Sequence, residues 1–349
     1  EVGLGPRARH ERASPRLCLS RVGERMCKGR MLDGLLRASL PPYHYPPLSR
    51  GERGLVIGMG GGCDVFASWA LAQEWAEAQP EGEVLYAAAS SERYVAKTKT
   101  ELPDSHITHL VEGAYSLGGE RVPLQPGDDA YGTVKLELSV PRGPHGSPLV
   151  FCMPKSDNVA GMSLAEVQKG IRDRFNLALE KIGPISHILG VDCGGDSVTG
   201  GIDHSGDMEM GRDRQVLHAL GACGVPFDHV ILGPACDGES SEEQMIAALD
   251  EIDHVGALAG LLNLGHIAML MRECTEGLKP MRTPNIIWTA CERKRLIESN
   301  VPEAHLPEWA RLPIFTIMRH NRVQAIPWSW LTVGVVIRGA GALRRAPAA

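Results

Sequence analysis

LVIGMGGGCD (residues 55–64), ILGVDCGGD (188–196) and VILGPACDGE (230–239) decide the fold. Each is an apolar run of strand type, then a glycine-containing turn, then an acidic residue. Each leads, directly or after a loop, into a helix-forming stretch. In a parallel α/β sheet such turns lie at the carboxyl ends of the strands, where ligands bind. Three on one edge gather Asp64, Asp192, Asp196, Asp237 and Glu239 around glycine backbone. The expectation is a small-molecule site, with neither molecule nor reaction specified.

Outward from these motifs, strands alternate with helices. Residues 55–58 read as a first buried strand and 64–78 as a helix with an apolar stripe through Val65, Trp69 and Trp75. Residues 83–89 read as a second strand, 148–153 as another, and 163–181 as a helix that Ser163 and Glu166 cap reciprocally. Residues 186–191 and 229–233 are strands, 212–222 a helix, and 241–262 a helix or helix pair. The stretch 105–148 is rich in glycine and proline, with strand-like pieces such as TVKLELSV (133–140). Near the end, PIFTIM and RVQAIP around a polar turn read as a β-hairpin. The expected fold is α/β and Rossmann-like: a mostly parallel sheet flanked by helices, with the C-terminal hairpin as an antiparallel edge.

The chain has 349 residues, 43% of them hydrophobic and 22% charged, as in ordinary globular proteins. A net charge of −6 and an aromatic content of 5% disfavour a nucleic-acid surface. Nine cysteines without CxxC spacing and without a signal-peptide pattern point to a reducing compartment rather than a disulfide scaffold. The apolar run 326–337 is too short to span a membrane and contains Pro327.

Residues 1–50 carry nine Arg and one Lys against three Glu and one Asp, a net of +6, which leaves −12 for the remainder. They read as a basic extension: disordered, an organelle transit peptide, or translated upstream sequence with Met26 or Met31 as the true start. PPYHYPP (41–47) reads as an extended linker into the domain. The expected organisation is an extension at 1–50, one α/β domain at 51–337, and a tail at 338–349. The cytoplasm is the expected location, or an organelle matrix if the extension is a transit peptide.

In the first turn, Gly58, Gly60, Gly61 and Gly62 let the backbone approach a ligand closely, and the next helix turns its positive end toward them. This suits phosphate or carboxylate, although Cys63 replaces the third glycine of a dinucleotide fingerprint and the lysine of a phosphate loop is missing. A tight turn that binds nothing has the same composition, and Asp64 has a second reading as a helix N-cap. In the second turn, Asp192 and Asp196 flank Gly194 and Gly195. Two ionised carboxylates there repel in a dry pocket, so one is protonated or a cation lies between them, Mg²⁺ or Mn²⁺ by chemistry. A solvated loop is the alternative. In the third turn, Asp237 and Glu239 around Gly238 supply a metal ligand, a general base, or merely a cap for the helix that follows.

Asp203, His204, Asp207, Glu209, Arg212 and Asp213 fill a charged, glycine-rich stretch that reads as a lid. Arg212 or Arg214 is the candidate partner for an anionic substrate, with helix-face ion pairing as the alternative. Cys63, Cys193 and Cys236 each adjoin one of the acids and read as soft-metal or thiolate groups, or as small residues at crowded turns.

GMGGGCDV, GVDCGGDSVTGG, GRDRQ and GPACDGES, in this order, together with the terminal RVQAIPWSWLTVGVVI, resemble the uncharacterised family named "domain of unknown function 1152". The likeness runs from about residue 55 to about residue 337. It implies a Rossmann-like fold and offers no settled activity. The family often carries glycine where this chain has Cys63, which weakens a catalytic role for that thiol.

The expected function is that of a small-molecule enzyme. Asp192, Asp196, Asp237 and Glu239 are the catalytic candidates, and Asp64, Asp192 and Asp237 the metal ligands. Gly58, Gly60, Gly61, Gly62, Asp64, Gly194, Gly195, Arg212 and Gly238 are the candidates for holding a phosphorylated or carboxylated ligand. Hydrolysis or group transfer fits, because no covalent nucleophile is visible. A non-catalytic metabolite sensor is the alternative. A nicotinamide-linked oxidoreductase ranks last, because the second strand ends in Ala and Ser with Glu92 as the nearest acid.

Overall fold

The computed structural model describes residues 40–127, 132–142, 148–153, 162–201, 211–319 and 322–343. Five parallel strands form the centre of the sheet: β1 (Arg53–Gly58), β2 (Glu83–Ser90), β5 (Leu149–Cys152), β6 (His187–Cys193) and β7 (Phe227–Leu232). Antiparallel strands extend it on both sides. β3 (Ile107–Val111) and β4 (Ala114–Leu117) add to β5, and β11 (Val333–Arg338) and β8 (Leu258–Asn263) add to β7. The order across the nine-stranded sheet is β3-β4-β5-β2-β1-β6-β7-β11-β8. The expected α/β class with a mostly parallel core is therefore what the chain forms.

Both faces of the central strands are covered. β1 is buried from Gly54 onward and β7 throughout, as their unbroken apolar sequences require. Helix α1 (Asp64–Ala78) packs on β1 and β2 with Trp75 fully buried. Its ring lies 2.5 Å from where a Cβ on Gly54 would stand, so this strand position takes only glycine. After β1 the chain builds β2 and then β5 on one side, and returns to place β6 on the other. The strand order reverses between β1 and β6, and open α/β sheets bind ligands at the carboxyl ends of the strands at such a switch point.

Four expectations need correction. Residues 133–140 do not form a strand. Lys135–Ser139 is a short helix, α3, whose Leu136, Glu137, Leu138 and Ser139 are all buried, so the alternation of leucines does not mark one buried face. The helix expected at 241–262 ends at His254, a left-handed Gly256 reverses the chain, and β8 follows. The hairpin of β9 (Phe315–Arg319) and β10 (Arg322–Ile326) is a separate two-stranded sheet, not an edge of the large one. The strand after it, β11, inserts between β7 and β8.

The fourth correction concerns the expected linker. The compact unit begins at Leu40, not at residue 51. Tyr43 and Leu261 share a backbone hydrogen bond of 2.8 Å, Trp75 Nε1 donates to the Pro46 carbonyl at 2.9 Å, and Tyr43 Oη donates to Asp228 at 2.8 Å. The chain crosses Gly260 so closely that a Cβ there would lie 2.7 Å from the Pro41 carbonyl oxygen. At the other end, the turn Gly339–Leu343 offers the carbonyls of Ala342 and Leu343 to the buried Arg214.

Gly260→Ala should therefore lift residues 40–50 off the sheet. The expected loss is about 1–3 kcal/mol in urea denaturation, with new chymotrypsin cleavage at Tyr43. An unchanged midpoint and cleavage pattern would show that the strap does not depend on this contact.

Candidate functional site

β1, β6 and β7 are adjacent and parallel, so their three turns lie along one edge of the sheet. The turns touch. A Cβ on Gly60 would stand 2.5 Å from Asp213 Oδ1 and 2.9 Å from Asp64 Oδ2. One on Gly194 would stand 2.3 Å from the Asp237 carboxyl carbon, so absence of a side chain lets the second and third turns close on each other.

Two groups of acids result. Asp64, Asp192 and Asp213 each offer an oxygen, all within 4.8 Å of one another, and all three residues are buried. Asp196, Asp237 and Glu239 form a second group with the same spacing. This regroups the expected metal ligands. Asp237 belongs to the second group, and its place beside Asp64 and Asp192 is taken by Asp213, from the first turn of helix α6 (Arg212–Ala222).

Backbone amides hold the first group. Asp64 is not an N-cap but the first residue of α1, and its Oδ2 accepts the Gly60 N–H at 2.7 Å. Asp192 Oδ1 accepts the Gly195 N–H at 3.2 Å and Oδ2 accepts that of Ser197 at 3.0 Å. Behind them, His229 Nδ1 lies 3.0 Å from the Gly190 carbonyl, so that nitrogen carries the proton and Nε2 accepts the Ser197 hydroxyl at 2.9 Å. Asp213 Oδ1 is buried without a hydrogen-bond partner. Three hard oxygen donors, two of them fixed by amides and one with an open lone pair, fit a divalent cation.

The electrostatics follow from crowding. Burial, and then the charges of Asp192 and Asp213, push the Asp64 carboxyl well above the usual range. Burial and the charge of Asp192 push Asp213 up to about 7, against the pull of Arg212. Asp237 is pushed up to about 7 by burial, opposed by the Glu239 amide. Asp196 is raised well above its usual range by burial and by Asp213.

Three arginines stand at this edge. Arg212 Nη1 donates to the Gly60 carbonyl at 2.7 Å, with its guanidinium over the Tyr94 ring. Arg282 Nε donates to Cys63 Sγ at 3.2 Å, and Arg319, on the hairpin, pairs with Glu239 at 2.5 Å. The hairpin thus closes over the third turn, where Gly238 lies against Ile317 and Arg319. Arg214, the other candidate for an anion, is buried and donates to the carbonyls of Ser197, Ala342 and Leu343.

Sequence reasoning missed Arg282, Arg319 and Glu137, and it left Asp213 without a ligand role. Arg282 and Arg319 come from distant elements and carry no local signal. Glu137 is 1% exposed and faces the Gly62 amide, a place that opened only when residues 135–139 formed a helix. The cysteines are buried small groups. Burial pushes Cys63 up to about 11 and Cys193 and Cys236 well above their usual value, so none is a thiolate. Glu92, the acid nearest the end of β2, accepts the Tyr115 hydroxyl at 2.6 Å, which engages the group a ribose would need. Asp203, His204, Asp207 and Glu209 lie outside the described residues. Among the described residues no helix is long and apolar enough to cross a membrane.

Comparison of the chain with protein-family models, with curated proteins and with solved structures finds no match.

A carboxyl that is neutral when folded and ionised when unfolded opposes folding above its unfolded pKa. Its penalty vanishes at or below that pKa, grows as pH rises toward the folded pKa, and is constant above it. With a chelator present, the unfolding midpoint should therefore rise as pH is lowered from about 8 to about 5. A divalent cation should raise the midpoint more at the upper pH, and Asp213→Asn should flatten both responses. A midpoint that falls steadily on acidification over this range would contradict a buried like-charge cluster.

Proposed function

We propose that this chain is a divalent-cation-dependent enzyme that binds a phosphorylated or carboxylated metabolite at the β1–β6 switch point and catalyses its hydrolysis or group transfer. The observation that carries the reading is Asp213 Oδ1, a buried carboxylate oxygen without a hydrogen-bond partner, in oxygen-donor range of Asp64 and Asp192.

Charge balance supports the cation. Asp64, Asp192, Asp213, Asp196, Asp237, Glu239 and Glu137 outnumber Arg212, Arg282 and Arg319 at this edge. Fully ionised, these acids would repel an anionic metabolite, and protons relieve that repulsion where no cation does. A cation held by Asp64, Asp192 and Asp213 reverses the local sign, and Arg212 and Arg282 flank the glycine turn where the anionic group docks. Mg²⁺ or Mn²⁺ would supply Lewis acidity to a phosphoryl or carboxyl oxygen. Asp237, titrating near neutrality, is suited to taking a proton from a hydroxyl or water nearby. Glu239, paired with Arg319, fixes the third turn in place.

A binding protein with the same pocket is the competing reading, and turnover separates the two. A thermal-shift panel of Mg²⁺ and Mn²⁺, with and without nucleotides, sugar phosphates and carboxylic acids, should give a shift that needs both cation and organic anion. At about 100 times the dissociation constant the stabilisation is about 2.7 kcal/mol. Product release from the stabilising compound should require the cation. Asp192→Asn should weaken Mn²⁺ by at least about tenfold and abolish the paired shift. Stabilisation without turnover would favour the sensor, and a cation-independent shift would remove the metal from the mechanism.

A further inference from the structure

The anion seat of the glycine turn already faces an anion. Glu137 reaches it from α3, with its carboxyl toward the Gly62 N–H. The residue is 1% exposed, and its Oε2 has no hydrogen-bond partner. Among the described residues no ion pair engages it. The Arg212 guanidinium acts on it through space while its Nη1 donates to the Gly60 carbonyl. A buried carboxylate that no ion pair holds is costly, and such groups concentrate where function needs them.

Two anions cannot share one amide. We propose that Glu137 is the internal occupant of the turn's anion seat: its carboxylate excludes the ligand's anionic group, and its neutral carboxyl admits it. The inference rests on the reading of the glycine turn as an anion site. It adds that ligand binding there takes up one proton. The groups that face Glu137 and its seat are the Gly62 amide, the guanidinium groups of Arg212 and, beside Gly62, Arg282, and the thiols of Cys63 and Cys152. Both thiols are held neutral by burial, so neither changes state near neutrality. Burial raises Glu137 itself to about 7.

Sulfate is the probe, because its charge is constant over this range. Calorimetric titration with magnesium chloride present should show wild-type affinity falling about tenfold between about pH 6 and about pH 8. Glu137→Gln should bind at the upper pH about as tightly as the wild type does at the lower, with the slope reduced. Asp213 and Asp237 also titrate here, so the difference between the two proteins is the reading. If Glu137→Gln does not fold, Glu137→Ala takes its place, and wild type and variant are titrated in buffers of different ionisation heat. Proton uptake at the upper pH that is about one greater in the wild type supports the inference, and equal uptake overturns it. A variant with the wild-type slope and affinity overturns the inference alone. No sulfate response in either folded protein overturns the anion site as well.

Discussion

Like charges packed together out of water organise the acid-lined edge of this molecule. Asp64, Asp192 and Asp213 are buried within reach of one another, and no arrangement of that kind tolerates full ionisation without compensation. The fold supplies part of it. The amides of Gly60, Gly195 and Ser197 point at Asp64 and Asp192, and Arg212 stands beside Asp213. The glycines are where they are because carboxyl groups occupy the space their side chains would fill. Turn composition and acid placement are one constraint seen from two sides.

That constraint depends on the sheet. Only the sequence β1-β6-β7 of parallel neighbours brings three strand ends to one edge. The same topology makes the first and last described segments of the unit pack at the other parts of the sheet, around β8, β7 and β11. The hairpin, free of the large sheet, reaches over the third turn and sets Arg319 against Glu239.

Much of this was legible in the residues. Apolar runs ending in Gly and Asp identify buried parallel strands, and a run such as VILGPACDGE leaves little freedom in where its acids fall. Ser163 with Glu166 caps its helix as their spacing requires. Local pattern fails where tertiary packing decides. TVKLELSV alternates like a strand yet coils into a helix buried on all sides, which hid Glu137. Asp213 sits in an ordinary helix-opening sequence, and only the crossover of α6 over the second turn makes it a neighbour of Asp64. Arg282 and Arg319 depend on contacts across much of the chain, which no short window contains.

The straps at either end of the unit bear on how it can be divided. Residues 40–50 supply the carbonyl for Trp75 and the hydroxyl for Asp228, while residues 339–343 supply two of the carbonyls around the Arg214 guanidinium. A fragment trimmed to the glycine motifs and the last strand would strip partners from a buried indole, a buried carboxylate and a buried cation together. The Arg214 helix turn also carries Asp213, so the damage from such trimming would travel along α6 to the opposite edge. Stability engineering and inheritance alike meet an indivisible module here, whose cluster of acids is anchored at its own margins.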